Sequence, residues 1–84
     1  MDLYEVYVTV NGIKVKIGAF KDIDKADEVY AAYIRKVKSG ARIRFNRANK
    51  DGVATEVCVL RKKDGAEFSF SLKEGFQEKF RKAA

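Results

Sequence analysis

The sequence predicts an α+β fold of order ββαβββα: an antiparallel sheet packed on one long amphipathic helix, with a short C-terminal helix closing the chain. Three observations carry this. Asn11-Gly12 separates two segments in which apolar and polar residues alternate, the pattern of a hairpin. Residues 22–40 place apolar side chains at helical spacing between an acidic start and a Ser-Gly stop. From Ala41 to Leu72 alternation returns in three segments divided by Gly-containing turns.

In the first segment Tyr4, Val6, Val8 and Val10 fall on one face, with Glu5, Tyr7 and Thr9 on the other. A two-residue turn at Asn11-Gly12 pairs Val10 with Ile13, Thr9 with Lys14, Val8 with Val15 and Tyr7 with Lys16. Val6, Val8, Val10, Ile13, Val15 and Ile17 are therefore expected on the core face. Tyr7, Thr9, Lys14 and Lys16 fall on the open face.

Asp22 is the expected N-cap, and Asp24, Asp27 and Glu28 suit the positive end of the helix dipole. Ile23, Ala26, Val29, Tyr30, Tyr33, Ile34 and Val37 form its apolar stripe, so both tyrosines are expected in the core. Ser39-Gly40 ends the helix.

The strand from Ala41 to Arg47 then turns Ala41, Ile43 and Phe45 one way and Arg42, Arg44 and Asn46 the other. Asn49 to Gly52 is a turn. Val53 to Leu60 is apolar on both faces near its end, as a central or covered strand would be. Lys62 to Gly65 is a second hairpin turn, and Ala66, Phe68, Phe70 and Leu72 alternate through the fifth strand. Lys73 to Lys82 is expected as the closing helix, because Phe76 and Phe80 stand at i and i+4.

Eighty-four residues make one small domain, 1–84, with no linker or repeat. Six Phe and four Tyr are enough bulk to close a modest core. No apolar run reaches the length of a membrane span. The N-terminus lacks a basic leader followed by an apolar block, so no signal peptide is expected. The single cysteine, Cys58, has no partner for an internal disulfide, which suits a reducing cytoplasm. That would be the host cytoplasm if the chain is phage-encoded.

Charge is the most informative property. The net is +6, but residues 1–34 sum to −2 and residues 35–84 to +8. Arg35, Lys36, Lys38, Arg42, Arg44, Arg47 and Lys50 follow one another with no acid between them. A field of one sign attracts polyanions. Some of these cations also serve the C-terminal end of the helix dipole.

The sequence gives little support to an enzyme. It has no His, which excludes His-based catalysis and His metal ligation. Cys58 sits in an apolar strand and reads as a core residue. The glycines form neither GxxxxGK[ST] nor GxGxxG, and Asp22, Asp24, Asp27 and Glu28 read as capping. No cofactor and no metal are implied.

The stretch NGIKVKIGAFKDIDKADEVYAAYIRKVKSGARIRFN, residues 11–46, resembles the ethylene-response-factor (apetala-type) DNA-binding domain, whose relatives include integrase arm-binding domains. Ile17-Gly18-Ala19-Phe20 matches the family's strand end. Ala26 and Tyr30 match its helix, and Gly40-Ala41 with Phe45-Asn46 match its last strand loosely. The chain departs from the family in lacking the outward Trp and in the two strands that follow. The resemblance implies a sheet lying in the major groove of DNA.

Two functions are expected from these residues. In the first, the open sheet face contacts duplex DNA. Lys14, Lys16, Arg42 and Arg44 would meet phosphates or guanine edges, Tyr7 would stack or hydrogen-bond, and Lys36, Lys38 and Arg47 would flank on the backbone. In the second, this is a small phage or mobile-element protein that binds and inhibits a host complex, as anti-CRISPR proteins do, by seating on an acidic protein surface. Either would act as a monomer or homodimer. A membrane partner is not expected, since the basic final segment also carries Glu74 and Glu78.

Overall fold

The computed structural model describes residues 3–44, 52–72 and 77–81. Its elements are β1 (Tyr4–Val10), β2 (Ile13–Phe20), α1 (Ile23–Ser39), β3 (Arg42–Ile43), β4 (Gly52–Arg61), β5 (Glu67–Ser71) and β6 (Gln77–Arg81). The strands form one antiparallel sheet in the order β2-β1-β4-β5-β6, with β3 paired to the start of β4. The helix lies mainly across β4 and β1. No helix among the described residues is long and apolar enough to cross a membrane.

The first hairpin follows from its turn. Asn11 and Gly12 both take positive φ, 54° and 77°, the pair that a two-residue turn between twisted strands needs. The register is Val10↔Ile13, Thr9↔Lys14, Val8↔Val15 and Tyr7↔Lys16. Beyond it the pairing slips, and Val6 faces Gly18. Ile17 is the extra residue of a bulge, which bends the edge strand. β1 is paired on both sides, and Val6 and Val8 are fully buried.

The helix is capped as its sequence demands. The Asp24 amide donates to Asp22 Oδ1 at 2.9 Å. At the other end Gly40 is left-handed, and the Gly40 and Ala41 amides donate to the Val37 and Lys36 carbonyls. Ala26, Tyr30 and Val37 are its buried residues. Ala26, fully covered, lets the helix come close to the sheet. The core joins these to Val6, Val8, Val10, Ile43, Ala54, Val57, Val59 and Phe70.

Four expectations need correction. The C-terminal helix is not seen: residues 77–81 form β6, antiparallel to β5, with Ser71↔Gln77 and Phe68↔Phe80. The Phe68 and Phe80 rings lie 4.8 Å apart at 43°. This cross-strand aromatic contact, with a ladder of backbone hydrogen bonds along the β5 edge, outweighs a weak local helical pattern. Phe76 and the start of the expected helix lie outside the described residues. The element order is therefore ββαββββ, still an α+β fold with an antiparallel sheet.

Ile13 is not in the core; it is 63% exposed. Val15 and Ile17 are only half-buried, because the helix reaches over β4 and β1 and barely over the edge strand. The third strand is limited to Arg42–Ile43. Arg44 follows it without strand pairing, and Phe45, Asn46 and Arg47 lie outside the described residues. Gly52, expected in a turn, begins β4. A Cβ there would stand 2.8 Å from both Val10 Cγ1 and Asn11 Nδ2, so a glycine is what lets the start of β4 lie close against the first hairpin.

Candidate nucleic-acid interface

The register divides the sheet into two faces. Tyr4, Val6, Val8 and Val10 turn toward the helix with Val57, Val59 and Phe70. The outer face receives Glu5, Tyr7 and Thr9 of β1, and beside them Leu60, Cys58 and Glu56 of β4. Lys14 and Lys16 complete it from β2, and Glu67, Ser69 and Ser71 from β5.

Glu5 organises this outer face. Its carboxylate side chain is only 8% exposed. Tyr7 donates its hydroxyl to Glu5 Oε1 at 2.8 Å. Lys16 Nζ lies 2.8 Å from Oε2 and Lys62 Nζ 3.8 Å from Oε1. The hydrogen bond from Lys16, then that from Tyr7, holds the Glu5 carboxyl below its ordinary pKa. The same carboxylate raises the pKa values of Lys16 and Tyr7. Thr9 donates to Glu56 Oε1 at 3.3 Å.

Cys58 lies beneath this face, 2% exposed, with its thiol pushed up to about 11 by burial. Lys14, Glu56 and Glu67 are the charges around it. The centre of the outer face is therefore mixed in sign, and Lys16 spends its charge on Glu5.

Five of the eight candidate contact residues, Tyr7, Lys14, Lys16, Arg42 and Arg44, are expected on the open face, and Lys36, Lys38 and Arg47 flank it. Tyr7, Lys14 and Lys16 stand together on the outer face as predicted. Arg42 lies opposite Val53 and alternates with Ile43, which is buried on the helix side, so Arg42 turns away from the helix. Lys36 and Lys38 belong to the helix layer. Lys36 Nζ sits 5.9 Å from the Tyr33 ring centroid and Lys38 Nζ 5.6 Å from that of Phe70. Arg44 is exposed just past β3, and Arg47 lies outside the described residues.

What most of them share is an end of the molecule. The helix starts just after Phe20, which pairs with Tyr4. Its seventeen residues span about 25 Å, the length of β1, so it finishes near Val10. Val10 faces Ala54, next to Val53, the partner of Arg42. Lys14 pairs with Thr9, one residue away. Arg35, Lys36, Lys38, Arg42 and Arg44, all exposed, thus gather with Lys14 at the turn end of the first hairpin. Asp22, Asp24, Asp27 and Glu28 lie at the opposite end.

Sequence reasoning missed the hub role of Glu5. Its signal was present in the alternation, which sets Glu5 beside Tyr7 on the face that also holds Lys16. Lys62 could not be placed there from the sequence, because its approach depends on the β4–β5 turn, where the Lys62 amide donates to the Leu3 carbonyl at 2.8 Å. Among the described residues no group of acidic or cysteine side chains is arranged to hold a metal. Comparison of the chain with protein-family models, curated proteins and solved structures finds no match to any of them.

Proposed function

We propose that this chain binds nucleic acid, with duplex DNA favoured, and that it does so through its basic end rather than through the centre of the outer sheet face. The observation that carries the reading is the exposure of Arg35, Lys36, Lys38, Arg42 and Arg44 on a stretch with no acid between Glu28 and Asp51. Such cations neutralise phosphates and release condensed counterions on binding. Arginine adds a planar fork suited to phosphate oxygens. At the opposite end Asp22, Asp24, Asp27 and Glu28 stand among Lys21, Lys25 and the Arg61–Lys63 turn, so the unbroken run of cations offers the stronger pull on a polyanion. Lys14, on the margin of the basic end, would add a contact; Lys16, held by Glu5, would add less.

The test is a binding titration of a labelled mixed-sequence duplex at low salt. Lys36→Glu with Arg44→Glu should weaken binding by about tenfold or more and reduce the salt slope by about 2. Lys16→Ala should change it little. Binding that responds to Lys16 and ignores Lys36 and Arg44 would return the contact to the outer face. No binding at roughly 50 mM salt would sink the reading and leave an acidic protein surface as the partner.

A further inference from the structure

A cleft of about 540 Å³ opens between α1 and the far end of the sheet, away from the run of cations at the end of α1. One stripe of the helix forms one wall, with Ile23, Tyr30, Ala31 and Ile34. Tyr4, Val59 and Phe68 form the other. Phe68 is 47% exposed and Ile23 39%, so large apolar groups are left open to solvent here. The Phe68 ring is itself in contact with that of Phe80.

Two charged side chains also line the cleft, Arg61 and Asp27, and they differ. Arg61 is engaged: its Nε and Nη2 donate to Asp64 at 3.0 and 2.7 Å. Asp27 interrupts the apolar stripe, and among the described residues its carboxylate makes no ion pair or side-chain hydrogen bond. Its neighbour Glu28, by contrast, faces Lys25 at 3.8 Å.

We propose that this cleft binds a small organic cation, an aromatic or alkyl body carrying one ammonium group. The volume lies in the range of small-molecule sites, and a mostly apolar lining with one fixing polar group is the usual composition of such sites. The rings of Tyr4, Tyr30 and Phe68 offer π-faces and apolar area to the body. The carboxylate of Asp27 answers the ammonium and disfavours an anion of the same shape. This site is independent of the basic end and stands or falls separately from it.

Titration of isotopically labelled full-length protein, followed by amide NMR, tests this with three probes of one shape: phenethylamine, 2-phenylethanol and phenylacetate. The expected result is saturable shifts around Asp27, Ala31 and Phe68 with phenethylamine, at least about tenfold weaker binding of the other two, and loss of that preference in Asp27→Asn. Ala31→Trp, a change at an exposed position, should fill the cleft and block the shifts. Shifts elsewhere, no binding of phenethylamine, or equal binding of all three probes would each overturn the proposal.

Discussion

At the scale of the residue, Glu5 and Cys58 show how environment sets chemical behaviour. Glu5 has a lowered pKa in the folded protein, so it contributes stability above the carboxylate's unfolded pKa, and that contribution is lost as pH falls through the folded value. Glu5→Gln should therefore lower the melting temperature at pH 7. The gap between variant and parent should narrow as pH falls through the lowered folded value of the parent's carboxyl; thermal melts over an acid pH series check this. Cys58 is the opposite case. With its thiol pushed up to about 11, only about one molecule in a thousand carries the thiolate at pH 8. A thiol-specific reagent should leave the folded protein unmodified at that pH and label it promptly in denaturant. Rapid labelling of the native chain would contradict the burial described here.

At the scale of the element, the close approaches decide. Gly52→Ala places a methyl group against Val10 and Asn11 of the first hairpin and should cost about 1–3 kcal/mol in chemical denaturation. Asp22→Ala removes the cap that receives the Asp24 amide and should cost about 1 kcal/mol. For β6, amide exchange and cross-strand proton contacts between Ser71 and Gln77, and between Phe68 and Phe80, are the expected signature; helical contacts across residues 77–81 would refute it.

These elements also show what was readable in the chain. The hairpin register from Val10↔Ile13 to Tyr7↔Lys16 was legible because Asn11-Gly12 fixes it locally. Both ends of α1 were legible because Asp22 and Gly40 act within one turn. The bulge at Ile17, the shortness of β3 and the strand at residues 77–81 were not, because each is decided by pairing with another strand and leaves no mark in the local pattern. Phe80 is the clearest instance: its spacing from Phe76 suggested a helix, while its partner is Phe68 on another strand. The site was legible in part. Alternation put Tyr7, Lys14 and Lys16 on one face, and the helix pattern put Lys36 and Lys38 in its last turn; that Glu5 would hold Lys16 was not read.

At the scale of the whole molecule, the charge is unevenly distributed. Cations with no acid among them collect where α1 ends and β3 begins; where α1 starts, Asp22, Asp24, Asp27 and Glu28 stand among Lys21, Lys25 and the Arg61–Lys63 turn. A surface of this kind steers a polyanion to one end at long range and loses that steering as salt screens it. The proposed nucleic-acid interface rests on this unevenness. It is separate from the aromatic cleft, which lies beside the start of the helix.

The most direct measurement is the affinity of the purified protein for a mixed-sequence DNA duplex at roughly 50 and 200 mM salt. Binding at the lower salt should weaken by about two orders of magnitude at the higher, as expected for some four phosphate contacts. An affinity that is absent at 50 mM, or present and indifferent to salt, would contradict it.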